Sequence, residues 1–130
     1  MHENDQAARR AGFAQLSAYI LKHSAGRAII LGGDTNLKIA QPDRPLDGQV
    51  WSDFLAGTGL VDVCSVLDCG DDADVLDKFA FRSADSLQLI PQSHSFERAR
   101  FTRTDGESLS DHDPLAVRFT WVAGSAQPAN

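Results

Sequence analysis

The period of the hydrophobic positions changes several times along the chain, and each change marks an element. From Ala7 to about His23, Phe13, Leu16 and Ile20 recur at three- and four-residue spacing, which predicts a helix with one apolar stripe. Asn4 or Asp5 is its expected N-cap and Gly26 its expected stop. Arg9, Arg10 and Lys22 form its solvated face, and His23 lies at its C-terminus, where a cation is favoured. Next, Ala28-Ile29-Ile30-Leu31 is wholly apolar and ends at Gly32-Gly33-Asp34-Thr35-Asn36. Such a run predicts a strand buried on both faces, with the glycines allowing a tight turn at its end. If the extended conformation persists, Asp34 and Asn36 project from the same face.

Gln41 to Gly48 contains two prolines and a glycine and reads as a loop. Asp47 is the expected cap of a short helix carrying Val50, Trp51, Phe54 and Leu55, ended by Gly57 and Gly59. Leu60-Val61-Asp62-Val63 reads as a brief strand, and the acidic stretch from Cys64 to Leu76 as surface. From Asp77 the period becomes two. Phe79 and Phe81 alternate with Ala80 and Arg82, Ser83 to Ser86 reads as a turn, and Leu87 to Ile90 as the returning strand of a hairpin. Ser93 to about Thr104 reads as a looser strand, before a turn at Asp105-Gly106. Leu115, Val117, Phe119 and Trp121 alternate strictly with their neighbours, giving the clearest strand. Trp51 and Trp121 read as core. With no repeat and no linker, residues 1–122 read as one domain and residues 123–130 as a flexible tail.

Composition narrows the function classes. A length of 130 residues fits one domain, and 42% hydrophobic content fits a globular core. The net charge of −6 argues against a general basic nucleic-acid binder. It leaves room for an enzyme acting on phosphate through a metal ion, which neutralises carboxylates where phosphate sits. No apolar run is long enough to span a bilayer, and His2-Glu3-Asn4-Asp5 is no signal peptide. The compartment stays open; a secreted or periplasmic full-length form is one alternative. Cys64 and Cys69 are compatible with a short-loop disulfide or with two free thiols. Their spacing is neither Cys-x-x-Cys nor that of a zinc finger, which argues against a thiolate metal site.

Chemistry concentrates in two stretches. Gly33-Asp34-Thr35-Asn36 closes the apolar strand, and Ser110-Asp111-His112-Asp113-Pro114 precedes the last strand. A carboxylate beside an imidazole at a strand entry suits metal binding or proton transfer, and it also suits an ordinary polar turn. Taken in order, Gly33-Asp34-x-Asn36, Leu76-Asp77-Lys78-Phe79-Ala80-Phe81 and Ser110-Asp111-His112 resemble the endonuclease/exonuclease/phosphatase superfamily. That superfamily includes pancreatic-type deoxyribonuclease, abasic-site endonucleases, neutral sphingomyelinases and inositol-polyphosphate 5-phosphatases. The resemblance covers nearly the whole chain and implies an α+β fold, a two-layer β-sandwich flanked by helices, of which residues 1–122 are the C-terminal half.

The resemblance implies a metal-dependent phosphoester hydrolase. Asp34 would orient or deprotonate the attacking water, and Asn36 would hydrogen-bond the nucleophile or a phosphate oxygen. Asp111 would contribute to a Mg²⁺ or Mn²⁺ site, since hard cations favour oxygen ligands. His112 would stabilise charge on the phosphate or transfer a proton, and Asp77 would hold the imidazole oriented and cationic. The implied substrate is a phosphate ester, with a nucleic acid favoured over a phospholipid or a sugar phosphate. The resemblance places the family's principal metal-ligating Glu in an N-terminal half upstream of this chain, with His2 near where an upstream catalytic His motif ends. A half-sandwich exposes an apolar sheet face, which implies a homodimer or pairing with the missing half. A second class of function follows: a catalytically incomplete, partner-dependent interaction domain. His94 reads as a surface residue and Lys78 as solvated. Phe96 to Arg103 reads as an amphipathic strand or loop, with phosphate contact as its functional alternative.

Overall fold

The structure, a computed structural model, describes residues 3–124, with side chains from residue 6 onward. The expected caps Asn4 and Asp5, His2 and the tail from residue 125 lie outside the described side chains. The elements are α1 (Glu3–His23), β1 (Ile29–Asp34), α2 (Pro45–Thr58), β2 (Val61–Asp62), α3 (Val63–Val66), β3 (Asp77–Arg82), β4 (Leu87–Phe96) and β5 (Leu115–Ala123). They form a mixed α and β fold with two open antiparallel sheets, of strand order β1-β3-β2 and β4-β5. No helix among the described residues is long and apolar enough to cross a membrane.

Alternation along β3 decides what each face does. Ala80 faces the helices, in a core with Ile20, Leu37, Val50, Trp51, Phe54 and Leu60; Ile29 and Leu31 of β1 pack against the same cluster. Phe13 and Leu16 of α1 join it, as the apolar stripe predicts. Phe81 belongs to the opposite face and meets Val63 and Leu89, with Phe79, Val117 and Phe119 packed against them. The Phe81 and Phe119 rings meet edge to face at 5.7 Å. The two sheets therefore pack on each other through aromatic side chains.

Several expectations need correction. β1 is not buried on both faces: it pairs with β3 alone and Ile30 is 50% exposed. Gly32 and Gly33 do not make a turn either; they lie within β1. Gly32 stands opposite Phe79, and a Cβ there would fall 2.5 Å from that ring. The β3–β4 hairpin does not form, because β3 is flanked by β1 along its length and by β2 opposite Ala80 and Phe81. The chain instead crosses to the second sheet, where β4 pairs with β5.

β4 is one strand, Leu87–Phe96, rather than two pieces, and only a short 3₁₀ turn follows it at Arg98–Arg100. Its register slips between Pro91 and Ser93. Pro91 has no N–H to give a ladder, and a bulge absorbs the extra residue. The bulge reverses the side-chain parity: Leu89 and Pro91 are the buried positions before it, His94 and Phe96 the partly buried ones after it. Trp121 is not core; it is 66% exposed, lying past Val117 and Phe119 on β5, outside the cluster between the sheets. Trp51 is core, and its indole N–H donates to Asp62.

Buried charges tie the helices to the sheet. Asp47 is not the N-cap of α2, which starts at Pro45. Its carboxylate is fully buried, accepts the Lys38 backbone N–H and pairs with Arg44 and Arg9. Lys78 is not solvated but 5% exposed, on the helix-facing side of β3. Its ammonium donates to the Val75 carbonyl and lies 3.5 Å from Asp74. Burial pushes the Lys78 ammonium below the usual lysine range, despite the opposing charge of Asp74. The Arg82 guanidinium donates to the carbonyls of Ser24 and Arg27 after α1 and of Thr58 at the end of α2.

Candidate functional site

Asp34 ends β1 and Asp77 begins β3, and the two are direct cross-strand partners. Cross-strand partners project from the same face of a sheet. Period two puts Asp77 on the side of Phe79 and Phe81, toward the second sheet. On that side the long connection from β4 to β5 returns, carrying Ser110, Asp111 and His112.

Short-range bonds hold the connection in place. Glu97 N–H donates to the Pro114 carbonyl, and Arg98 Nε donates to Asp113 Oδ2 at 2.8 Å, while the Arg98 guanidinium also lies 4.8 Å over the Phe96 ring. Ser110 Oγ accepts the His112 backbone N–H at 3.1 Å. The imidazole is thereby set between the two strand-end carboxylates. Its Nδ1 lies 2.8 Å from Asp77 Oδ2, and its Nε2 lies 3.5 Å from Asp34 Oδ2. The hydrogen bond and charge of Asp77 raise the His112 pKa above the ordinary 6.5, with smaller help from Asp34 and Asp111.

Asn36 does not project alongside Asp34 as an extended chain would place it. The strand stops at Asp34, and Asn36 takes a left-handed conformation with φ of 55°, one that Asn tolerates better than most residues. Asp34 Oδ1 accepts the Asn36 backbone N–H at 3.0 Å, which leaves Oδ2 toward His112. The Asn36 carbonyl in turn accepts from the Arg44 guanidinium. Thr35, between them, is buried; its hydroxyl and its N–H both donate to the Leu76 carbonyl, next to Asp77. Thr35 therefore couples the end of β1 to the start of β3. The sequence reading missed it, and the only signal was a β-branched hydroxyl residue inside a turn.

The site opens into a groove of about 290 Å³, at the lower end of ligand-pocket sizes. Asp77, Asp111, His112 and Asp113 line it together with Lys38, Arg98 and Phe96. Lys38 is a cationic member that sequence reasoning did not single out, whereas Arg98 belongs to the Phe96–Arg103 stretch whose alternative reading was phosphate contact. Asp34, Asp77 and His112 each bring a ligand atom within 4.8 Å of the others. Asp111 shares the groove but is not one of those three.

The sequence comparison adds a direction. The chain is similar to mycobacterial sphingomyelinases. It is 33% identical over 129 residues to the sphingomyelinases of Mycobacterium bovis and Mycobacterium tuberculosis, covering 87% of this chain and 25% of each relative. The chain thus spans about a quarter of the length of the curated relatives it matches. No family model matches, and no solved structure matches significantly.

Proposed function

We propose that this chain carries the phosphate-handling part of a metal-dependent phosphodiester hydrolase acting on sphingomyelin or a close relative of it. The supporting observation is the imidazole held by Asp77 and facing Asp34 at an open groove, in a chain whose relatives are sphingomyelinases. Sphingomyelinases are among the members of the superfamily that the ordered motifs resemble, so the two sheets are read as part of its sandwich. The net charge of −6 weighs against a nucleic-acid polyanion as the first choice of substrate.

Each residue has a role that its position supports. His112 is kept cationic by Asp77 and presents Nε2–H to a phosphate oxygen. Asp34 orients the attacking water and accepts its proton as the new oxygen–phosphorus bond forms and the ester bond breaks. Asn36, held by its turn beside Asp34, hydrogen-bonds the water or a non-bridging oxygen. The donor set fits a hard divalent cation, because Asp34 and Asp77 bring carboxylate oxygens within 4.8 Å of each other beside His112, and Asp111 lines the same groove as Asp77. Asp111 would contribute a ligand to Mg²⁺ or Mn²⁺, which when bound neutralises negative charge on the phosphate.

The test compares hydrolysis of sphingomyelin in detergent micelles, bis-p-nitrophenyl phosphate and duplex DNA, with Mg²⁺ or Mn²⁺ and with a chelator. Turnover of the lipid and of the small diester, lost on chelation, is the expected result. Undiminished turnover in chelator would remove the metal, and cleavage of DNA without lipid turnover would move the reading to a nuclease. A second reading, a partner-dependent domain, draws on the exposure of Ile90, Trp121 and Val122 on the β4–β5 sheet. A folded monomer that binds no Mg²⁺ or Mn²⁺ by calorimetry and turns over none of the three substrates would favour it.

A further inference from the structure

Outside the residues that line the candidate groove, a second group of metal-ligating side chains converges. Cys64 and Cys69 form a disulfide with Cα atoms 5.5 Å apart. His94, some 25 residues further on, brings a ring nitrogen within 4.8 Å of both sulfurs, and all three residues are half-buried. The bulge in β4 produces this meeting. Without the extra residue between Pro91 and Ser93, His94 would fall on the other side of the strand. Sequence spacing gives no sign of it, because the third ligand comes from the other sheet.

We propose that reduction of the Cys64–Cys69 disulfide converts this corner into a Cys₂His site for Zn²⁺ or a similar borderline-soft divalent cation, with solvent as fourth ligand. Two thiolates and one imidazole form a donor set that Zn²⁺ accepts in tetrahedral geometry. Zn–S bonds of about 2.3 Å in that geometry set the sulfurs about 3.8 Å apart, so the sulfurs only need to separate locally. The backbone would remain in place after reduction. Val63 is fully buried and Leu67 packs in the same cluster on either side of Cys64, and the Cys64 N–H is fixed by Asp62 Oδ1. In the reduction a dithiol supplies two electrons and two protons. Its own sulfur–sulfur bond forms as that of Cys64–Cys69 breaks, and both cysteine thiols release their protons to solvent when the cation binds.

Cobalt serves as the probe, because thiolate-to-Co²⁺ charge-transfer absorption separates this site from the carboxylate site around Asp34. Full-length protein is reduced with a phosphine, which leaves no competing thiol, and titrated with Co²⁺ and then with Zn²⁺. The reduced protein should bind one Co²⁺ with thiolate absorption, displaced by Zn²⁺, and the oxidised protein should show none. His94→Ala should weaken binding at least tenfold while leaving the far-ultraviolet circular dichroism of the oxidised protein unchanged. Absence of thiolate absorption in the reduced protein would overturn the proposal, as would wild-type affinity in His94→Ala. Loss of the fold on reduction would also overturn it, since the site needs the fold to bring His94 to the sulfurs.

Discussion

At the scale of single residues, the candidate site centres on the Asp77–His112 pair. The imidazole is 41% exposed, so its perturbation comes from the 2.8 Å hydrogen bond and charge of Asp77 rather than from burial. The sign follows from linkage. A folded-state pKa raised above 6.5 favours the folded state while His112 is protonated. That contribution is full below pH 6.5 and fades as the pH rises through the folded value. Asp77→Asn should therefore lower the His112 pKa, measured by titrating its ring resonances by NMR, and should flatten the pH dependence of stability above pH 6.5. An unchanged titration would mean that Asp77 does not hold the imidazole. Asp34, Asp77 and His112 stood out as candidates in the sequence because each sits at a strand end or beside a turn, and the structure brings the three together. Asn36 was misplaced because its local hydrogen bond to Asp34 outweighs continuation of the strand.

At the scale of elements, the site depends on the β1–β3 pairing that sets Asp34 opposite Asp77. Gly32 is its tightest point, with the Phe79 ring over the position a Cβ would take, whereas nothing lies near a Cβ at Gly33. Gly32→Ala should cost about 1–3 kcal/mol by forcing the Phe79 ring or the strand to shift. Gly33→Ala should be near neutral, and urea denaturation of the two variants checks the contrast. Equal stability of the two would contradict the close packing of β1 on Phe79. Helices α1 and α2 and strands β1, β3 and β5 were all readable from period. The partners of the strands were not, since period fixes which face is apolar but not which edge is free. A hairpin between β3 and β4 was the natural reading of Ser83 to Ser86 until β1 and β2 took both edges of β3. Pro91 hid the continuity of β4, and with it the inward turn of His94.

At the scale of the whole molecule, two small sheets join through Phe81 and Phe119, with helices on one side and the candidate site where the β4–β5 connection returns to the first sheet. The mixture of helices and strands was legible from the succession of periods, while the α+β class rested on the resemblance carried by the ordered motifs. What the sequence could not show is how residues 34, 77 and 112 converge, because their distances along the chain say nothing of the sheet that joins them. The exposed end of β5, at Trp121, escaped notice for a related reason: strict alternation marks a face as apolar without showing how far its cover extends. The central claim is that His112, held by Asp77 and facing Asp34, hydrolyses a phosphodiester. The most direct test is the turnover number of wild type and His112→Ala on sphingomyelin at neutral pH with Mg²⁺ present. Loss of a positioned acid–base group predicts a fall of about 10²–10⁴-fold in the variant with its fold intact; equal turnover would contradict the account.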